Sequence, residues 1–237
     1  MIRFRPRLAP TLFTIPAVAV LVVLGVWQLQ RLEWKDRLIA ERAAAVAMPP
    51  ARPPQTLADA RAMEFRPVVD DGVFLHHKEI HLGAMDPGGH TGFQVLTPLR
   101  EEDGRTVLVN RGFVPTELKD PATRPAGQLA GMVHVSGLLR VPPEEKPGWF
   151  IPDNRPDRNY WFWIDLPAMA AADGLADAAR FYIDADATPN PGGWPKGGVT
   201  PIALPNDHLQ YAVTWFSLAA ALVVIYVVYH RRGGGPG

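Results

Sequence analysis

One histidine stands where a histidine is costly. His208 precedes Leu209–Tyr229, a stretch without a charged side chain. At about 1.5 Å per residue such a helix covers roughly 31 Å, enough to cross the hydrocarbon core of a bilayer. Tyr211 and Trp215 follow His208 at i+3 and i+7, on the same helical face. An ionisable group at the mouth of a membrane helix is a candidate for function. An imidazole resting in an interfacial aromatic belt, bonded to headgroups or water, is the reading that the residues alone prefer.

The other residues with chemical potential read more plainly. His76, His77 and His81 invite a metal, but on a strand His77 and His81 would stand about 13 Å apart, too far to share one ion. They read as solvated strand residues. Asp184 and Asp186 share a strand face near the end of a domain; a solvated face explains them better than an acid–base pair. Arg111, in Asn110-Arg111-Gly112-Phe113, is a candidate carboxylate binder, with a structural ion pair or turn contact preferred. The run Tyr160-Trp161-Phe162-Trp163-Ile164 reads as core, with a membrane- or partner-facing patch as the alternative.

No Gly-x-Ser-x-Gly elbow, P-loop or His-Glu-x-x-His occurs, which leaves a membrane-anchored hydrolase without a nucleophile–base motif. The absence of cysteine excludes disulfides, thiolate metal sites and a cysteine nucleophile. Twenty-four basic against 24 acidic side chains leave no net charge, which argues against nucleic acid.

These residues need elements to position them. The apolar residues gather at the two ends of the 237-residue chain. Arg3, Arg5 and Arg7 precede an uncharged run, Leu8 to Gln30, that holds Pro16 and Gly25; a membrane helix tolerates the proline, and the glycine permits close approach of a second helix. The run is too long for a signal h-region, and charged residues from Arg31 to Arg42 separate it from the small residues Ala45-Val46-Ala47, so a retained anchor is expected. The expected organisation is a cytoplasmic tail at 1–9, spans at 10–30 and 209–229, a periplasmic domain at 31–208 and a cytoplasmic tail at 230–237. Basic residues near the two sides are almost balanced; the short tails, with Arg3, Arg5, Arg7, Arg231 and Arg232, decide the orientation. Past the first span the helix should continue, with Trp27, Arg31, Trp34 and Leu38 on one face, until Met48-Pro49-Pro50 ends it.

Between the spans the pattern turns to strands. Phe65–Leu75, Glu79–Met85, residues 93–99, 106–110, Met132–Val141 and 181–185 are candidates. Asp103-Gly104 predicts a two-residue type I′ hairpin. Asp165, Pro167 and Gly174 bracket one short helix, and Gln55–Arg61 is a second candidate. Thr188–Gly198 should be a surface loop. The fold class is α+β: two terminal transmembrane helices flanking a mainly antiparallel β extramembrane domain, closed or half-closed, with one or two short helices.

Short pieces in order along nearly the whole chain carry a resemblance. They include Gly25-Val26-Trp27-Gln28, Phe65-Arg66-Pro67-Val68, Val95-Leu96-Thr97-Pro98-Leu99, Leu108-Val109-Asn110-Arg111-Gly112-Phe113-Val114-Pro115, Trp161-Phe162-Trp163-Ile164-Asp165 and Asn206-Asp207-His208-Leu209-Gln210-Tyr211-Ala212-Val213-Thr214-Trp215-Phe216. The chain resembles bacterial members of the surfeit locus protein family; Asp207 stands where that family usually has a second Asn. The resemblance implies a bacterial inner-membrane factor of cytochrome c oxidase assembly that holds or hands over haem a. The implied partners are oxidase subunit I, haem a synthase and the lipid bilayer. It assigns haem binding to His208 and supplies no enzymatic reaction. Beside it, a neutral imidazole can ligate haem iron. Trp27, Tyr211 and Trp215 would line an apolar slot between the spans, and Arg31 or Lys35 would pair with the propionates. The alternative is a scaffold or chaperone that stabilises oxidase subunits and touches no haem.

Overall fold

A computed structural model describes residues 7–175, 177–199 and 204–231. Arg3, Arg5 and Arg232, which bear on the expected orientation, lie outside the described residues. The chain divides into two compact units, Met1–Glu41 with Ala203–Gly237, and Arg42–Ile202.

The first unit is a helix pair. Helix α1 runs from Leu8 to Val46, through Pro16, and α4 from His208 to Arg231. Both are long and apolar enough to cross a membrane. Their apolar side chains, among them Leu12, Ile15, Val23, Val224 and Ile225, are exposed, as an apolar solvent around them would require.

The second unit is a small β-barrel. Its strands are β1 (Pro67–Phe74), β2 (Ile80–Met85), β3 (Thr91–Arg100), β4 (Thr106–Pro115), β5 (Met132–Arg140) and β6 (Ala178–Ala185), with short helices α2 (Leu57–Ala62) and α3 (Leu166–Ala172). The strand order is β1-β5-β6-β4-β3-β2, and a short β1–β3 pairing closes the ring. One edge of β3 is used twice: Thr91 to Leu96 pair with β2, then Leu99 and Arg100 pair with β1. All pairings between these strands are antiparallel except β4 with β6. β2 stays outside that ring as an edge strand, its other side bridged by Trp161 at Leu82.

Alternation along the strands builds three apolar clusters, the smallest of them Phe93, Val95 and Val114. Val68, Leu99, Val107, Val109, Leu139, Phe181 and Ile183 fill the barrel. On the outside, Leu108 and Tyr182 join Ile80, Leu96, Trp161 and Met169 under α3. Strands β4 and β6 are therefore buried on both faces, which overturns the solvated face expected at Asp184. Asp184 is only 5% exposed; it accepts from Asn110 Nδ2 at 2.7 Å and Arg140 Nη1 at 3.0 Å.

Local turn chemistry holds α3. Asp165 Oδ1 accepts from Ala168 N at 3.1 Å, Pro167 occupies the first turn, and Gly174 adopts φ +60° just past the end. The β3–β4 turn differs from the expected type I′. Glu101 N donates to Arg105 O across three loop residues, and of these only Gly104 has positive φ, +90°. That is the three-residue loop with a left-handed last position, which asks for one glycine instead of two left-handed residues.

His76–Lys78 form a 3₁₀ turn and not a strand, so the face expected to join His77 and His81 does not exist. Nor is His81 solvated. It packs edge-on against Phe93 and is 6% exposed. Burial pushes its pKa down to about 4.

Candidate functional site

The helix pair is antiparallel. Near one end Thr11 Oγ1 and Tyr226 Oη are 2.6 Å apart and Arg7 Nη1 donates to Tyr229 Oη at 2.9 Å. Near the other, His208 Nδ1 lies 2.6 Å from Gln28 Oε1, and Asn206 Nδ2 donates to Asp36 Oδ1 at 2.7 Å. The seam between these clasps uses small residues. Ala212 and Ala219 of α4 are buried, and Gly25 of α1 receives the Phe216 ring. A Cβ on Gly25 would stand 2.7 Å from that ring, so a methyl group there would force the ring to shift. Small residues let backbones approach, and dispersion then holds the helices where no hydrophobic effect acts between them.

His208 is the first residue of α4. Asp207 precedes it, and its carbonyl accepts the first backbone bond of the helix, from Tyr211 N at 3.2 Å. A carboxylate at this end complements the helix dipole. His208 is half-buried and Gln28 only 9% exposed.

The aromatic residues expected around His208 do not converge between the helices. Trp27 is 49% and Tyr211 55% exposed, while Trp215 is half-buried. The close-packed seam of Gly25, Gln28, Ala212 and Phe216 occupies the space of the expected slot. Arg31 is exposed, its guanidinium 4.1 Å from the centre of the Trp34 ring. That i+3 contact is a cation–π stack. Gln28 is a site residue that reading the sequence misses. Its signal is there: an amide three residues after Gly25, on the same helical face.

The barrel holds two polar constellations. Glu79, Arg111 and Arg124 are each at most 5% exposed. Arg124 binds both Glu79 carboxylate oxygens, and Arg111 Nη1 stands 3.6 Å from Oε1. Burial would raise the Glu79 pKa, but the His76 hydrogen bond and the two guanidiniums outweigh it and hold it at about 2. Arg111 also donates to Gly127 O and to Asn190 Oδ1. Its partners are all internal, which makes it the structural ion pair preferred from the sequence. The second constellation lies beside the β3–β4 turn, a cavity of about 440 Å³ with Asp70, Asp71, Glu101 and Arg105 in its wall. Among the described residues no three His, Cys, Asp or Glu side chains are grouped to hold a metal ion.

Residues 15–220 match the SURF1 family. The chain belongs to that family. It is 40% identical to the SURF1-like protein of Monosiga brevicollis over 224 residues, 89% of this chain and 84% of that protein. It is 40% identical to Surfeit locus protein 1 of Mus musculus over 225 residues, covering 89% of this chain and 71% of the relative. Against Surfeit locus protein 1 of Homo sapiens the identity is 38% over 226 residues, 89% and 74% of the two chains.

The donor set at His208 fits a haem on one count that this structure supplies. Gln28 engages Nδ1, so the nitrogen left for an iron is Nε2. Metal-bound histidines have this arrangement, one nitrogen on the metal and the other on an oxygen of the protein.

Proposed function

We propose that this chain is a membrane assembly factor for cytochrome c oxidase that takes haem a as cargo through His208 and assists its insertion into subunit I. One observation carries the reading: a histidine at the boundary of an apolar helix pair has one ring nitrogen held by the neighbouring helix and the other available to a metal. Membership of the SURF1 family supports the assembly role. Two terminal helices of membrane-spanning character support an integral membrane protein.

In this reading Nε2 of His208 is the ligand to the haem iron. Trp27, Tyr211 and Trp215 offer apolar surface on the outside of the pair. Arg31 faces the propionates from the level where α1 leaves the membrane. A single protein ligand suits a carrier, which must also release. Both termini lie in the cytoplasm and the barrel in the periplasm, with haem a synthase as donor and subunit I as acceptor.

The scaffold reading has an observation of its own. Trp149 is 93% and Phe150 72% exposed, edge to face at the tip of a turn closed from Ile151 N to Gly148 O. Two aromatics at a turn tip, where Gly, Asn and Asp are usual, suit contact with another protein. The absorption spectrum of the full chain purified from haem-a-producing cells separates the two. The carrier shows haem bands that His208→Ala loses or shifts. A wild-type chain that never carries haem supports the scaffold.

A further inference from the structure

We infer that Gln28 is the positioning residue of the His208 site, fixing the imidazole tautomer so that Nε2 presents a bare lone pair. The inference rests on the reading of His208 as a metal ligand given above. An amide oxygen only accepts, so a 2.6 Å contact from Nδ1 to Gln28 Oε1 requires the ring proton on Nδ1. In a neutral imidazole the other nitrogen is then unprotonated, the form that binds a metal. In water a free histidine side chain prefers the opposite tautomer, with the proton on Nε2, so the site must work against that preference.

The contact comes from the opposite helix, 180 residues away in sequence. Ring orientation is therefore set by the pairing of α1 with α4 and not by α4 alone. The Phe216–Gly25 packing lies on the same face of α1, three residues from Gln28, so helix docking and ring orientation are one event. With 9% exposure Gln28 meets little water that could compete.

The identity of the partner matters as much as its position. A carboxylate behind a metal-bound histidine raises the basicity of the ring and tightens the metal. An amide orients the ring without that charge. Gln28 thus gives a directed but releasable ligand, which is what a carrier of cargo needs.

Three variants of the full chain in lipid nanodiscs test this. Gln28→Met keeps length and volume but has no acceptor; Gln28→Glu keeps the acceptor; His208→Ala identifies the His208 signals among the 7 histidines. The first readout is ring ¹⁵N NMR without haem at pH 8, where an imidazole is neutral. Wild type and Gln28→Glu should carry the proton on Nδ1, and Gln28→Met should move it largely to Nε2. A wild-type ring protonated on Nε2, or an unchanged ring in Gln28→Met, overturns the inference; the second result reduces Gln28 to packing. The other readout is haem a retention. Gln28→Met should weaken it about tenfold, and Gln28→Glu should slow release relative to wild type. Equal retention in wild type and Gln28→Met overturns the inference while the His208 reading, tested by His208→Ala, stands. If wild type binds no haem, the carrier reading fails while the NMR result still decides what Gln28 does.

Discussion

A carboxylate clamped by two guanidiniums and an imidazole buried against Phe93 both weaken the barrel in acid, in different windows. The folded pKa of His81 is about 4 against 6.5 for the free side chain. The unfolded chain therefore binds the extra proton between those values, and stability is lost as pH falls through that window. Glu79, at about 2 against 4.5, contributes fully above 4.5 and loses its contribution toward 2. Asp70 runs the other way. Burial and then the neighbouring Glu101 charge push it up to about 7 from 3.8. The folded state holds the extra proton there, so stability falls as pH rises from 3.8 to 7. Two measurements follow, both by chemical denaturation of the full chain in detergent. His81→Leu should flatten the stability profile between pH 6.5 and 4. Asp70→Asn should stabilise by about 1–2 kcal/mol at pH 8, with the gain fading toward pH 4. A stability profile for His81→Leu parallel to wild type would mean that His81 does not titrate on unfolding. At this scale the sequence is legible where a residue breaks its surroundings, as His208 does beside 21 uncharged positions. It is not legible where a partner lies far along the chain. His81 and Asp184 look like polar members of alternating strands. Only the cluster of Trp161 and α3 reveals that the strand face of Asp184 is covered, and only the cluster around Phe93 reveals it for His81.

Elements are easier to read than their joints. Both long helices, α3 with its Asp165 cap, and the strands at 67–74, 80–85 and 132–140 follow from periodicity and turn residues. Barrel closure does not, because it depends on a β1–β3 contact of only two residue pairs, Val73 with Arg100 and Phe74 with Leu99. Asp103-Gly104 marks the hairpin turn in the right place but with one loop residue too few. That difference is testable. Gly104 is left-handed, and nothing lies within 4 Å of where a Cβ would stand, so the cost of a side chain there is backbone strain alone. Gly104→Val should destabilise by about 1–2 kcal/mol and Gly104→Asn by clearly less, read as melting temperatures. Equal melting temperatures for the two variants and wild type contradict the turn. In the helix pair, Gly25→Leu should drive Phe216 out of the seam. A Thr11→Cys/Tyr226→Cys chain should cross-link through a short bismaleimide, and addition of Gly25→Leu should lower the yield severalfold. Unchanged yield would mean that Gly25 is not a contact point.

At the scale of the whole molecule, the absence of cysteine turns topology into a simple experiment. Single cysteines can be placed at Glu102, exposed beside the β3–β4 turn, and at Gly235 in the C-terminal tail. With the barrel outside the cytoplasm, a membrane-impermeant maleimide should label Glu102→Cys in spheroplasts and Gly235→Cys only after lysis. The reverse pattern contradicts the proposed orientation. The family is legible because its short motifs are spread in order over the chain, and the match over residues 15–220 agrees with that reading. What the motifs cannot give is the side of the helix pair on which chemistry occurs. Trp27 and Gln28 are adjacent in sequence, yet the amide enters the seam while the indole is about half exposed. Neighbours on a helix point about 100° apart, and only the partner helix decides which of them turns inward.

The central claim is that His208 is the protein ligand of haem a, and an optical titration tests it most directly. Haem a is added to the haem-free full chain in detergent, with wild type, His208→Ala, His77→Ala and His134→Ala measured side by side. His77 and His134 are exposed side chains of the barrel unit, and His134 pairs with Asp71 at 2.7 Å. The account predicts saturation near one haem per chain, with the same band, for wild type, His77→Ala and His134→Ala. It predicts at least tenfold weaker binding or a displaced band for His208→Ala. Saturation of His208→Ala at the same haem concentration and with the wild-type band would contradict it.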